Sequence, residues 1–233
     1  MMEITLTGIV IIVGNYGSGK TEISINLAAS RKRAGVDVRI ADLDLVNPYF
    51  RTREAKDALS DLGIEVVLPE DKYLQADLPI LSPMVAGMIR NPSELTLLDV
   101  GGNDVGAKVL ASLEDLFREQ PARMLQVVNP LRPDTSTIEG CLKVRSDIEA
   151  AARQAVSGII GNANLIDETG CDEIYSGYGF VVSLAQQSGL PLEFITAPRE
   201  LMADIDHQRF DCPILPIDRQ LVPPWKSARA FGA

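Results

Sequence analysis

The 233-residue chain is poor in the residues that build disulfide frameworks, metal centres and membrane spans. Its three cysteines, Cys141, Cys171 and Cys212, are far apart and include no C-x-x-C pair, which argues against a disulfide framework and a cysteine metal site. The only histidine, His207, lies in a polar stretch and is expected at the surface. No apolar run approaches the roughly 20 residues of a membrane span, and the N-terminus lacks the basic segment of a signal peptide. We therefore expect a cytoplasmic protein.

Positive charge is scarce as well. The chain has 22 Lys and Arg against 32 Asp and Glu, a formal net charge of −10. Phosphate backbones and anionic lipids are repelled by such a surface, so we expect no nucleic acid partner and no membrane partner. The sequence shows no repeat and no Ser/Gly linker, and 46% of its residues are apolar. Residues 1–233 are therefore expected to form a single domain.

One stretch stands out against this background. Gly14-Asn15-Tyr16-Gly17-Ser18-Gly19-Lys20-Thr21 has the pattern G-x-x-x-x-G-K-T of a P-loop. It follows the apolar run 9–13 and precedes a helical pattern over 22–34, which is the strand–loop–helix context that the motif needs. In such a loop Lys20 reaches the β- and γ-phosphates and the Thr21 hydroxyl suits Mg²⁺. A plain glycine-rich turn would explain the glycines but not Lys-Thr at the helix start.

The loop chemistry defines a set of candidate nucleotide ligands. Glycines allow positive φ and bring backbone N–H groups close to phosphate oxygens, and the helix N-terminus adds further N–H donors. The expected nucleotide-binding residues here are Gly14, Asn15, Tyr16, Gly17, Ser18, Gly19, Lys20, Thr21 and Glu22.

Apolar strands and helical patterns alternate along the whole chain. Strands are predicted at 4–13, 36–43, 64–68, 95–100, 124–128, 156–160, 192–195 and 212–217. Helices are predicted at 22–34, 52–62, 134–155 and 172–188, with shorter ones ending near 90 and 119 and another after 199. This order predicts an α/β fold with a doubly wound, mostly parallel sheet between two helical layers, as in P-loop NTPases. Pro213 and Pro216 place the last strand at a sheet edge.

Polar clusters directly follow five of these strands, at 14–21, 42–47, 99–104, 162–164 and 196–199. Ligands of open α/β sheets bind at the carboxyl ends of the strands. The five clusters are therefore expected to converge at one edge of the sheet.

Two of these clusters carry aspartates suited to a metal–nucleotide site. Asp99 ends an apolar strand, where P-loop proteins place the acid that holds Mg²⁺, and Gly101 and Gly102 then let the backbone approach the γ-phosphate. Asp42 and Asp44 share one side of an extended chain, so one could serve Mg²⁺ and the other orient water. The alternatives are that Asp99 caps the next helix and that Asp42 and Asp44 form a solvated turn.

Five motifs of the chain together resemble those of a known family. The motifs are the P-loop, Asp42-x-Asp44-x-x-Asn47-Pro48, Asp99-Val100-Gly101-Gly102, Gly158 to Asn162, and Gly189-Leu190-Pro191-Leu192 through Pro198. Their order is similar to that of the MinD/ParA/Mrp group of P-loop ATPases, over roughly 9–205. The resemblance implies a dimerising ATPase with ATP near the interface.

The resemblance also implies roles for single residues. Thr21 would ligate Mg²⁺, with Asp42 and Asp99 in its water shell. Asp44 would position the attacking water and act with Lys20 as a catalytic residue.

Further from the phosphates, the same resemblance implies contacts with the base. Asn162 would hydrogen-bond adenine and Pro198, in the loop 196–199, would line the base. No Asn-Lys-x-Asp guanine signature occurs at Asn162.

The chain departs from the group in several ways. Asn15 stands where the group usually has a lysine that reaches the partner's phosphates, and the Mrp-type cysteine pair is absent. The segment 47–51, N-P-Y-F-R, also looks like that of ATP-binding proteins loosely named after MinD, ParA or cobyric acid synthase. Arg51 and Arg53 open a predicted helix, where the dipole disfavours cations. They either contact phosphate or a partner, or form a solvated face.

Three functions are compatible with these observations. The leading hypothesis is a slow Mg²⁺-dependent ATPase that acts as a nucleotide switch for a protein partner, with homodimer formation as an open question. The second is an ATP-dependent ligase or kinase of small molecules, whose pocket would lie at 69–83 and Arg51/Arg53. The third is a nucleotide-stabilised scaffold without turnover.

Overall fold

Eight parallel strands and seven α-helices alternate in the part of the chain that the structure describes. The computed structural model describes residues 2–44, 52–68, 83–222 and 228–231, with only the backbone for 103–105. The strands are β1 (Gly8–Val13), β2 (Val38–Leu43), β3 (Glu65–Val67), β4 (Leu95–Val100), β5 (Ala122–Val128), β6 (Gly158–Gly161), β7 (Leu192–Pro198) and β8 (Ile214–Ile217). The predicted contributions of 47–51, including Arg51, and of 69–82 lie outside these residues.

The helices occupy the connections between the strands. They are α1 (Lys20–Arg33), α2 (Lys56–Asp61), α3 (Pro83–Arg90), α4 (Asn103–Ala111), α5 (Glu114–Glu119), α6 (Ile138–Ala152) and α7 (Cys171–Ser188). Single 3₁₀ turns occur at Thr52–Ala55, Pro133–Thr135, Ile166–Glu168, Arg199–Leu201 and His207–Arg209. None of the helices in the described ranges has the length and apolar character needed to cross a membrane.

The strands form one sheet in the order β3-β2-β4-β1-β5-β6-β7-β8, and every pairing is parallel. The strand that carries the P-loop is therefore near the middle, between β4 and β5. The predicted doubly wound α/β fold is confirmed. β8, which contains Pro216 and directly follows Pro213, lies at one edge as these prolines predict, because an edge strand has no second neighbour that needs its N–H groups.

Side chains of β1 alternate between two cores. Val10 and Ile12 join the cluster that includes Leu27 of α1, whereas Ile11 and Val13 join the cluster that includes Leu110 of α4. Both faces of the strand are thus covered by helices, which explains its unbroken apolar sequence. Each fully buried side chain of this kind stabilises the fold by about 1.5–3 kcal/mol. The strand end that carries the P-loop is therefore held rigidly.

Several predicted boundaries are wrong, for local reasons. The strand predicted from residue 4 begins at Gly8, whose φ of 71° bends the chain there. The helix predicted to end near 119 is broken at Ser112, whose hydroxyl donates to the Val109 carbonyl oxygen at 2.6 Å. The helix predicted from 134 begins at Ile138, because the Thr137 side chain accepts the Gly140 N–H as an N-cap.

Candidate nucleotide phosphate site

The P-loop lies at the carboxyl end of β1 and leads directly into α1. Gly14, Gly17 and Gly19 have φ values of 153°, 72° and 95°, which L-residues with a side chain rarely adopt. A Cβ atom on Gly14 would lie 2.6 Å from a backbone carbonyl oxygen of β5, and one on Gly19 would collide with Nδ2 of Asn162. The backbone conformation therefore favours glycine at all three positions, and close packing adds a second requirement at Gly14 and Gly19.

Lys20 is the first residue of α1 and is buried. Its ammonium group donates a hydrogen bond to the carbonyl oxygen of Asn15 at 3.0 Å, so the side chain lies against the loop backbone. Burial lowers the pKa of Lys20, and the carboxylates of Asp99 and Asp44 oppose this shift. The lysine therefore lies between the loop and the two predicted acidic residues.

The loop also contains buried polar atoms that suit a phosphate ligand. Oδ1 of Asn15 and Oγ of Ser18 have no hydrogen-bond partner among the described residues. A buried polar atom without a partner costs about 1–3 kcal/mol. The Ser18 hydroxyl can donate to a phosphate oxygen, and a water in the shell of the phosphate and its metal can donate to Oδ1 of Asn15, so the residues present fit a nucleotide.

Asp42 and Asp99 lie opposite each other on the neighbouring strands β2 and β4, and both are fully buried. Hydroxyl groups surround Asp99: Thr52 donates to it at 2.9 Å, Ser24 at 3.3 Å, and Thr21 also hydrogen-bonds to it. Thr21 therefore lies beside Asp99, and its role as a Mg²⁺ ligand stays a prediction.

The pair carries more negative charge than its buried setting favours. Burial and then the neighbouring Asp42 raise the pKa of Asp99 to about 7, against hydrogen bonds from Thr52 and Thr21 and the charge of Lys20. A cation relieves this repulsion. Mg²⁺ prefers oxygen ligands, keeps several waters and is held by one or two carboxylates together with phosphates. Among the described residues no three His, Cys, Asp or Glu side chains form a metal cluster, so phosphate, water and Thr21 would complete the shell.

Two alternative interpretations of these aspartates are wrong. The N-cap of α4 is Gly102, and none of the described side chains caps this helix, so Asp99 does not have that role. Asp42 and Asp44 are 0% and 6% exposed, which excludes a solvated turn. The Asp44 N–H donates to Oδ1 of Asp42 at 2.9 Å, so the two residues are fixed relative to each other.

Asp44 lies beside the Gly101–Gly102 backbone. A Cβ atom on Gly101 would be 2.8 Å from Oδ1 of Asp44, and one on Gly102 would be 3.0 Å from Cα of Tyr16. The segment after β4 therefore packs between Asp44 and the P-loop, and its two glycines permit this close approach. This is the place where a γ-phosphate and an attacking water are expected.

Asn162, predicted to contact the base, is hydrogen-bonded to the P-loop itself. Its Nδ2 donates to the Ser18 carbonyl oxygen at 2.7 Å, and its Oδ1 accepts from the Thr196 hydroxyl at 2.5 Å. The side chain therefore links β6 to the loop and to β7. Pro198 ends β7 and immediately precedes the turn that begins at Arg199.

The side chain of Glu22, in contrast, is engaged with the segment after β8. Its two carboxylate oxygens accept the backbone N–H groups of Gln220 and Leu221 at 2.7 and 3.0 Å. Asn26 also donates to this carboxylate, at 3.0 Å, and burial raises the pKa of Glu22. The contacts give this side chain a structural role, although its backbone still belongs to the first turn of α1.

Sequence reasoning missed one cation at the loop. Arg132, in the connection after β5, donates from Nε to the Gly17 carbonyl oxygen at 3.2 Å. The available signal was the pair Asn129 and Arg132, which directly follows a strand and so belongs at the same edge of the sheet. The hydroxyls of Ser24 and Thr52 were also missed, because they meet Asp99 only through tertiary packing.

The structure is similar to solved proteins of the signal recognition particle system. Cell division protein FtsY from Thermotoga maritima matches with a TM-score of 0.58 and 19% identity, over 84% of this chain and 65% of that one. Chloroplast FtsY from Physcomitrella patens matches with 0.54 and 20%, over 84% and 60%. The signal recognition particle 54 kDa protein from Aeropyrum pernix, solved with GDP, matches with 0.54 and 18%, over 83% and 42%.

These likenesses show a P-loop nucleotide-binding fold. The chain spans about two fifths to two thirds of the length of these solved proteins. No protein-family model matches the chain, and no curated protein sequence matches it either. The similarity to the MinD/ParA/Mrp group stays a prediction.

Proposed function

We propose that this protein binds Mg²⁺ and ATP and hydrolyses the nucleotide slowly, as a nucleotide-dependent switch for a protein partner. The observation that carries the proposal is the convergence of Lys20, the Asp42–Asp99 pair and Asp44 at one end of the sheet. Phosphoryl transfer depends mainly on positioning and on charge stabilisation, and these four residues supply both.

Each residue has a distinct task in this mechanism. Lys20 would hold the terminal phosphates, and Thr21 with the two buried carboxylates would hold Mg²⁺, which would neutralise phosphate charge. Asp44 accepts a hydrogen bond from the attacking water, and the Gly101–Gly102 backbone keeps the phosphate side of the site narrow. Chemistry of this kind needs few residues but accurate placement.

Adenine is the base we propose, with guanine as the second candidate. The Asn162 amide has one N–H left after its bond to Ser18, and N7 of either purine could accept it. Leu165 stands three residues after Asn162, where the guanine signature has an aspartate that pairs with the guanine edge. Guanine is favoured instead by the structural neighbours solved with GDP.

A competition titration decides between the two bases. The protein is saturated with a fluorescent ATP analogue in Mg²⁺, and ATP or GTP is added as competitor. Displacement by ATP at much lower concentration than by GTP supports adenine, and the reverse order supports guanine. Equal displacement would mean that the protein does not discriminate between the two bases. Failure of both nucleotides to bind would refute the proposed function.

The switch role is proposed because the catalytic parts are present but a charged residue is lacking at Asn15. An amide carries no charge, so it cannot stabilise the charge that develops on the phosphates. We therefore expect slow turnover by the isolated protein and faster turnover with a partner or in a dimer. Phosphate release from ATP tests the expected turnover. Sedimentation with and without a non-hydrolysable ATP analogue tests dimer formation. Fast turnover by the protein alone would contradict the switch role.

A further inference from the structure

Arg53 lies next to the buried carboxylate pair. It belongs to the 3₁₀ turn Thr52–Ala55, and Thr52 fixes this turn by donating to Asp99 at 2.9 Å. Nε of Arg53 is 3.9 Å from Oδ2 of Asp42, which is an ion-pair distance but too long for a hydrogen bond. About a third of the Arg53 side chain is exposed. The guanidinium therefore reaches the predicted metal site from a rigid position.

Two donor atoms of this guanidinium are buried without an acceptor. Nε and Nη2 of Arg53 have no hydrogen-bond partner within the described ranges. These two nitrogens form one edge of the planar group, the edge that binds a carboxylate or phosphate through two parallel hydrogen bonds. Burial of unsatisfied charged donors is unfavourable, so an oxyanion that reaches this edge gains their hydrogen bonds.

Another arginine of the chain shows how this guanidinium edge binds an oxyanion. Arg199 donates from Nε and Nη2 to the two carboxylate oxygens of Asp218, at 2.5 and 2.8 Å. In Arg53 the corresponding pair faces no carboxylate at such distances among the described residues. The difference between these two arginines is the main observation that indicates an oxyanion site at Arg53.

We propose that the Nε–Nη2 edge of Arg53 binds an oxyanion, the terminal phosphate of the bound nucleotide. This inference rests on the proposed function. A free anion would be repelled by the carboxylates of Asp42, Asp44 and Asp99. A terminal phosphate arrives together with Mg²⁺ and beside Lys20, so this repulsion is compensated. Arg53 thereby adds a cation at the chain's own terminal phosphate, whereas the position of Asn15, which would reach a partner's phosphates, stays uncharged.

A separate small anion has the same chemistry and forms the second arm of the test. Affinities of wild type, Arg53→Gln and Arg53→Lys are measured calorimetrically for a non-hydrolysable ATP analogue and for ADP, both with Mg²⁺. Orthophosphate is then titrated into each Mg²⁺–ADP complex. Arg118→Gln is the matched control, because Arg118 is an exposed arginine of α5 whose ion-pair partners among the described residues are Glu114 and Asp115. Circular dichroism and thermal unfolding confirm that each variant is folded.

We expect Arg53→Gln to weaken binding of the ATP analogue about 10–100-fold and to leave ADP binding unchanged, since only the triphosphate carries the bound group. Arg53→Lys should recover part of the loss, because it keeps the charge but not the two-donor edge. The Arg118→Gln control should match wild type.

The outcomes distinguish a terminal phosphate from a separate anion. They also distinguish failure of the oxyanion site at Arg53 from failure of the proposed nucleotide-binding function. Loss confined to the ATP analogue identifies the terminal phosphate. Loss confined to orthophosphate identifies a separate anion at the same arginine and overturns the terminal-phosphate assignment. Equal binding by wild type and Arg53→Gln in both arms overturns the oxyanion site while nucleotide binding by wild type still supports the proposed function. Wild type that binds neither nucleotide overturns both.

Discussion

Replacing Asn162 with alanine should weaken the binding of every nucleotide rather than change the preferred base. The substitution removes two buried hydrogen bonds, from Nδ2 to the Ser18 carbonyl oxygen and from the Thr196 hydroxyl to Oδ1. Each group left without its partner costs about 1–3 kcal/mol, so the free energy of unfolding should fall by about 2–6 kcal/mol. Domains have only about 5–15 kcal/mol in total, so this loss is large.

The affinities for all nucleotides should fall together because the lost hydrogen bond joins Asn162 to the P-loop. Ser18 belongs to the P-loop, which must be ordered before it can bind any phosphate, and Asn162 holds its backbone. Urea unfolding gives the stability change, and titrations with ATP, GTP and ADP give the affinities. Asn164→Ala is the matched control, because its Oδ1 accepts the N–H of Ile166, two residues further on, and no other donor in the described part of the chain. If Asn162→Ala lost ATP affinity alone, with GTP affinity and stability unchanged, Asn162 would be a base reader and not a loop anchor.

Further predictions address the rest of the chain. Lys20→Ala should lose most ATP affinity while circular dichroism shows an intact fold, since its buried ammonium lies over the loop; a titration with unchanged affinity would remove the P-loop assignment. Asp44→Asn should abolish phosphate release and spare ATP binding, and full activity in this variant would mean that another group orients the water. Iodoacetamide at about pH 8 should modify Cys171 and not the other two thiols, since burial raises the pKa of Cys141 to about 12 and of Cys212 to about 11. Unfolded thiols ionise near pH 9 while these two stay protonated, so the urea midpoint should fall progressively above pH 9; a constant midpoint would contradict the shifts. A fluorescence anisotropy titration should show little binding to duplex DNA at physiological salt, because the net charge is −10.

The fold could be predicted because its local signals agree. Apolar runs such as 95–100 are the strands that are buried on both faces, and the glycine-rich loop with Lys20 marks the start of α1. The sequence predicted a mostly parallel, doubly wound sheet, but it did not predict the order of the strands within that sheet. That Asp42 lies opposite Asp99 depends on β2 and β4 being neighbours, and no local pattern in the sequence shows this pairing.

The candidate site was less accessible to sequence analysis where it depends on tertiary contacts. Thr52 and Arg132 reach Asp99 and Gly17 from connections far along the chain, and neither belongs to a recognised motif. Asn162 was assigned to the base through the family resemblance, but its hydrogen bonds with Ser18 and Thr196 are visible only in three dimensions. Spacing therefore locates residues at the sheet edge and leaves their contacts undetermined.

The hydrogen bonds between Glu22 and the segment after β8 have a consequence for folding. Glu22 and Leu221 are separated by 199 positions, and Asn26 and Asp218 by 192, yet both pairs hydrogen-bond across the first turns of α1. Closing a loop of this length early is entropically unfavourable, so these bonds should form late, after β1 to β8 have assembled. Until then the Glu22 carboxylate remains hydrated. We therefore expect the backbone N–H groups of α1, which begins at Lys20, to gain their full protection against hydrogen exchange in the last step of folding.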